Sequence, residues 1–167
     1  MNASTGMGPT TGEGLAALYR EVVLDHHRDP RGRHELARVD AAATGHNPTC
    51  GDEVQVQLQL AGERVEDLGI RCRGCAISVA TGSMLAELGH GRSVGEVRRL
   101  AHALQRLLRG EPLDGAVELG DLAALAGVRQ FPARIPCAAL ACTTLLAALD
   151  GALALTPQPG DAHEAHR

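Results

Sequence analysis

Between residues 53 and 60 hydrophobic and polar positions alternate without a break, with Val54, Val56, Leu58 and Leu60 set against Gln55, Gln57 and Gln59. A period of two buries one face of a strand and leaves the other in water. Less regular strand patterns flank it at 41–45 and 65–73, and Ala61-Gly62-Glu63 supplies a hairpin turn. Elsewhere the period lengthens to that of a helix. Leu15, Leu18, Tyr19, Val22, Val23 and His26 share one helical face, and Asp29-Pro30 ends that helix. Ile77, Ala80, Met84, Leu85 and Leu88 mark a second helix that stops at Gly89. Ser93-Val94-Gly95-Glu96 reads as a capping box before Val97, Leu100, Ala101, Leu104, Leu107 and Leu108, and Gly110 and Pro112 close the third helix. Residues 111–130 read as loop, apart from a short helical turn near Asp121 closed by Gly127. A last helix is predicted over 136–149, with Pro136 in its first turn and Gly151 just past its end.

The chain has 167 residues, 44% of them hydrophobic, which suits one core and is short for two. A single domain is predicted over 14–152, between disordered tails at 1–13 and 153–167. Aromatic residues make up only 1%, Tyr19 and Phe131, so aliphatic side chains must fill the core and no stacking platform for single-stranded nucleic acid exists. The net charge of -4 also argues against a nucleic-acid partner. All 16 basic residues are arginine; without lysine there is no Schiff base and no P-loop. Five cysteines, an odd number, and no signal-peptide pattern speak for reduced thiols and a cytoplasmic location. The apolar run 138–155 approaches spanning length, but Thr143, Thr144, Asp150 and Gly151 interrupt it, and no membrane span is expected.

The candidate chemistry centres on Asn47-Pro48-Thr49-Cys50-Gly51-Asp52, where a thiol and a carboxylate stand two residues apart around a glycine. Cys75 and Cys137 each precede or open a helical pattern, where unpaired amides and the helix dipole favour a thiolate. Three sulfurs and one oxygen, from Cys50, Asp52, Cys75 and Cys137, form a four-ligand set suited to tetrahedral Zn²⁺. Three thiolates and a carboxylate leave a divalent ion with two negative charges in excess, which Arg134 could offset in part; the bland alternative for Arg134 is a solvated loop arginine. Cys72 and Cys75 form a C-x-x-C pair, so a redox dithiol or half of a zinc ribbon competes with this reading, but a ribbon needs a second such pair. Cys72 has the strand parity of Leu68 and Ile70 and is expected in the core, and Cys142 is expected to pack inside the last helix.

The words Leu18-Tyr19-Arg20 with Asp25-His26, Asn47 to Asp52, Gly74-Cys75-Ala76-Ile77-Ser78, Leu119-Gly120-Asp121 and Phe131-Pro132-Ala133-Arg134-Ile135-Pro136-Cys137 resemble the U-type iron-sulfur assembly proteins. The likeness is greater to the SufU branch than to the IscU branch. In the latter a histidine precedes the last cysteine, where this chain has Pro136, and the insertion at 111–130 is typical of SufU-type proteins. The resemblance implies an α+β fold, a small antiparallel sheet of about three strands packed against helices. It also implies a zinc held by Cys50, Asp52, Cys75 and Cys137, with Arg134 matching a family arginine beside it. The partners it implies are a SufS-type cysteine desulfurase, whose histidine takes a zinc position and releases Cys50 as sulfur acceptor, and downstream iron-sulfur assembly proteins. Cys72, Pro136 and Cys142 depart from the family pattern without touching the four ligands.

Three function classes follow. One is a zinc-dependent sulfurtransferase carrying persulfide sulfur on Cys50. Another is a non-enzymatic scaffold for a transient iron-sulfur cluster, with the oxygen of Asp52 as its weak ligand. The third is a structural zinc module, which would not need an exchangeable carboxylate. The missing histidine and the insertion favour the sulfurtransferase.

Overall fold

The structure is a computed structural model and describes residues 12–113 and 115–155. The tails expected at 1–13 and 153–167 lie outside these residues, except that 12–13 and 153–155 are helical. The element order is α1 (Gly12–Arg28), β1 (Ala41–Asn47), β2 (Asp52–Ala61), β3 (Arg64–Arg73), α2 (Ala76–Gly89), α3 (Val94–Arg109), 3₁₀ turns at Gly120–Gln130 and Pro132–Arg134, and α4 (Ile135–Leu155). The three strands form one antiparallel sheet in the order β1-β2-β3. This is the α+β class, with helices against one face of a small sheet.

The alternation that predicts β2 also sets its pleat. Val54, Val56 and Leu58 are buried beside Leu68, Ile70 and Cys72 of β3, and the glutamines face outward. Register pairs Asn47 with Asp52 at the tight end of the first hairpin and Val54 with Cys72 across β2 and β3. A slip of one residue would turn every one of these side chains into water. The connector after α1 runs along the outer edge of β3, where Gly32 O accepts from Ile70 N at 2.8 Å and so covers an otherwise open strand edge. Helix α2 packs on β3 and α4 on β1 and β2, so the loops before these helices converge on one end of the sheet.

The capping box forms as read. Glu96 N donates to Ser93 Oγ at 3.1 Å and Ser93 N donates to Glu96 Oε1 at 2.9 Å, while Gly110 closes α3 in the left-handed region. Two expectations are corrected. Helix α4 does not stop before Gly151 but runs to Leu155, because Ala148, Leu149 and Ala152 are buried and their packing outweighs the cost of one helical glycine. Gly127 does not close a short turn either. The 3₁₀ segment continues to Gln130, and Gly127 serves a close approach, since a Cβ there would stand 2.6 Å from Tyr19 Cβ. His26, fully buried on α1, ties this segment down: its Nε2 bonds Asp121 Oδ2 at 2.9 Å and its Nδ1 bonds Ser83 Oγ at 2.7 Å. By length and hydropathy the stretch Pro132–Ala152 could cross a membrane; half of it is packed inside the fold.

Candidate metal centre

The turn between β1 and β2 aims the first thiol. Asn47 Oδ1 accepts from Thr49 N at 3.2 Å and Asn47 O from Gly51 N at 2.8 Å, and Gly51 takes a φ of 73° that glycine adopts without strain. Cys50 is left exposed at the tip, with Asn47 Nδ2 donating to its sulfur at 3.2 Å. Asp52 has the parity of Val54 and Val56 and therefore points inward. It is only 1% exposed, and a carboxylate so far out of water needs partners. One is the backbone of Cys75, whose N–H donates to Asp52 Oδ1 at 2.9 Å. Gly74 makes this approach feasible: its φ is 145°, and a Cβ on it would lie 1.9 Å from Asp52 Oδ1.

Cys75 is the N-cap residue of α2, and its sulfur is 3.8 Å from Asp52 Oδ2. Cys137 sits in the first turn of α4, fully buried, with its sulfur 3.2 Å from that of Cys50. That separation is far beyond a disulfide bond, and all five thiols are free. The donor atoms of Cys50, Asp52 and Cys137 all lie within 4.8 Å of one another. Cys75 adjoins this group through Asp52, whose Oδ2 its sulfur approaches at 3.8 Å. Arg134, exposed on the turn before α4, reaches the same point; its hydrogen bond to Cys137 and the nearby Cys75 raise its pKa above the ordinary arginine value. Of the five residues singled out from the sequence, Cys50, Asp52 and Cys137 form the cluster itself, Cys75 adjoins it at Asp52, and Arg134 lines a groove with Cys75 at its rim.

One electrostatic expectation is reversed. The first turn of a helix lowers a thiol's pKa, yet the Cys137 thiol is pushed well above its ordinary value. Burial is the main cause, and hydrogen bonds with Cys50, Asp52 and Cys75 add to it. Three thiols and a carboxylate crowded together, Cys137 and Asp52 of them out of water, cannot all ionise without a cation among them. Tetrahedral zinc places sulfur and oxygen ligand atoms about 3.5–3.8 Å apart, so the spacings in this cluster fit such an ion with small side-chain shifts.

The other two cysteines lie elsewhere. Cys72 is buried on β3, where its sulfur would be 2.6 Å from a Cβ on Gly82, and burial pushes its pKa up to about 12. Cys142 is buried in α4, donates to Ala101 O at 3.2 Å, and burial lifts its pKa to about 12 as well. Three contributors escaped the sequence reading. Asn47 holds the Cys50 sulfur, a role its place before Pro48 in an Asx turn could have suggested. Gly74 admits the Asp52 carboxylate, and nothing local signals it. Tyr19, stacked on Phe131 with centroids 6.2 Å apart, forms with Ile77 and Arg134 the wall of a shallow groove beside Cys75.

A three-stranded antiparallel sheet, helices on one face, and a thiol-carboxylate cluster where the β1-β2 turn meets two helix starts define a small α+β domain built to present that cluster. Residues 18–138 match the family described as the NifU-like N terminal domain, and the chain belongs to that family. It is 36% identical over 126 residues to a zinc-dependent sulfurtransferase SufU of Bacillus subtilis, an alignment covering 75% of this chain and 85% of that protein. It is also 36% identical over 135 residues to an iron-sulfur cluster assembly scaffold protein IscU of Streptococcus pyogenes, covering 81% of this chain and 84% of the relative. Among solved structures, a candidate iron-sulfur cluster assembly scaffold protein for the SUF system from thermophilic Fervidobacterium islandicum superposes with a TM-score of 0.73 at 26% identity, covering 80% of this chain and 97% of that one. The motif resemblance and the fold agree at the level of the family.

Proposed function

We propose that this member of the iron-sulfur assembly family is a zinc-dependent sulfur acceptor that takes persulfide sulfur from a SufS-type cysteine desulfurase and passes it to downstream assembly proteins. The observation that carries the reading is the convergence of Cys50, Asp52, Cys75 and Cys137, with only Cys50 exposed on a turn. These four residues would hold the zinc. When bound, the ion supplies positive charge that keeps the clustered thiols ionised and the site folded. Cys50, on its turn, is the ligand whose departure disturbs least structure. Its thiolate attacks the outer sulfur of the partner's persulfide; a new S–S bond forms at Cys50, the partner's S–S bond breaks, and the partner's cysteine leaves as thiolate. The sulfane sulfur moves with no net oxidation or reduction, and Asp52, Cys75 and Cys137 stay in place. Arg134, at the rim beside Cys75, offsets negative charge as Cys50 swings out. A reducing cytoplasm is the compartment this chemistry requires.

The equal identity to a scaffold protein favours a second reading, in which the same donors hold a transient iron-sulfur cluster. Metal analysis of protein purified without added metal separates the two. About one zinc per chain and no visible colour support the sulfur acceptor. Bound iron with charge-transfer absorption and little zinc would replace it with the scaffold.

A further inference from the structure

The helix-free face of the sheet carries a charge pattern that the thiol cluster does not explain. Arg71 and Arg73 project from β3 onto this face, paired in register with Gln55 and Glu53 of β2, and Thr44 of β1 lies opposite Gln55. Arg33, from the connector, is fixed beside them by donating to Cys72 O at 3.0 Å. Together the three arginines line a groove of about 380 Å³ with Thr44, Glu53 and Gln55. Among the described residues none of the three guanidiniums has a carboxylate within 4.0 Å, whereas Arg31, Arg38, Arg98, Arg106 and Arg109 all do. Glu53, the one carboxylate of the groove, lies 3.5 Å from His46. Three guanidiniums without a carboxylate partner thus meet at one place in a chain of net charge -4. That place is the end of the sheet that bears the cluster: Glu53 adjoins Asp52, and only Gly74 separates Arg73 from Cys75.

We propose that the Arg33–Arg71–Arg73 groove is a docking surface for an acidic segment of the sulfur-donating protein. Charge complementarity selects the occupant, and the outward Gln57 and Gln59 continue the surface with groups that can bond a peptide backbone. A nucleic acid fits less well, because the groove offers three cations over one short strand end and no aromatic ring. The proposal rests on the sulfur-acceptor reading for the donor's identity, while the charge of the occupant follows from the groove alone. A partner gripping this face lies against the turn that carries Cys50, and steering by charge raises its rate of arrival.

The test compares wild type with Arg71→Glu/Arg73→Glu and, as control on another face, Arg106→Glu, each checked for unchanged melting and zinc content. In the first arm a fluorescent octaglutamate peptide and a single-stranded oligonucleotide of equal charge are titrated at low and at physiological salt. The peptide is expected to bind wild type and the control in a salt-sensitive way, and binding to the double variant to weaken about tenfold or more. In the second arm a SufS-type desulfurase is titrated with each protein. The double variant is expected to need about tenfold more protein for half-maximal stimulation, with the plateau rate unchanged. Peptide binding equal in wild type and double variant, a preference for the oligonucleotide, or light scattering that assigns the groove to a second copy of this chain would overturn the proposal. Normal peptide binding with no stimulation by wild type would remove the sulfur-acceptor reading and leave the acidic occupant standing. Stimulation identical in the two proteins would refute docking of the donor there.

Discussion

Gly74→Ala is the substitution that most directly probes how the fold builds the cluster. With φ at 145°, Gly74 occupies a region that costs a side-chain-bearing residue about 1–3 kcal/mol. Its added Cβ would meet Asp52 Oδ1 at 1.9 Å and Asp52 Cγ at 2.7 Å, so the carboxylate must move. Moving it breaks the 2.9 Å bond from Cys75 N, a hydrogen bond to a charged acceptor worth about 1.5–3 kcal/mol. The two terms together predict a loss of about 2.5–6 kcal/mol in urea unfolding, with weaker zinc binding. The Asp52→Ala background separates them. There the carboxylate is gone, its clash and the lost bond vanish, only the 3.0 Å approach to the Cα of residue 52 remains, and Gly74→Ala should cost little beyond the backbone term of about 1–3 kcal/mol. Equal costs in both backgrounds, or a cost under about 1 kcal/mol in wild type, would refute the claim that Gly74 exists to admit Asp52.

Two further outcomes follow from the separate environments of the cysteines. Single serine substitutions at Cys50, Cys75 and Cys137 should abolish stimulation of a desulfurase, whereas Cys72→Ala and Cys142→Ala should keep most of it; a Cys72→Ala as damaging as Cys75→Ala would contradict the core placement of Cys72. The buried thiol of Cys142 should make stability fall with alkali. Its folded pKa is about 12 against 9.0 ordinarily, so between these values the folded chain keeps a proton that the unfolded chain has lost. The thiol's contribution is whole below pH 9 and falls by about 1.4 kcal/mol per pH unit above it. Urea unfolding between pH 8 and pH 10.5 should therefore show a flatter decline for Cys142→Ala than for wild type, and parallel curves would be evidence against burial of the neutral thiol.

What could be read without a structure was whatever has a local cause. The alternation of Val54, Val56 and Leu58 with glutamines sets the central strand, and Ser93 with Glu96 sets the start of α3, because pleat and cap depend on neighbours a few residues away. The thiol-carboxylate turn was legible for the same reason. The misses have distant causes. Gly151 looks like a stop signal until Leu149 and Ala152 are seen packed in the core, and Gly127 looks like a terminator until Tyr19 is seen against it. The sign of the Cys137 shift depends on burial beside Cys50, Asp52 and Cys75, which position within a helix does not reveal. Gly74 answers to a side chain on the preceding strand. The groove of arginines appears only once β3 and the connector lie side by side.

The most direct test of the sulfur-acceptor account is to locate the transferred sulfur. The zinc-loaded protein is incubated with a SufS-type desulfurase and cysteine, persulfides are trapped by alkylation, and peptides are mapped by mass spectrometry. The account predicts the additional sulfur on the peptide bearing Cys50, with Cys72, Cys75, Cys137 and Cys142 unmodified. Additional sulfur chiefly on Cys75, Cys137 or Cys142, with Cys50 unmodified, would contradict it.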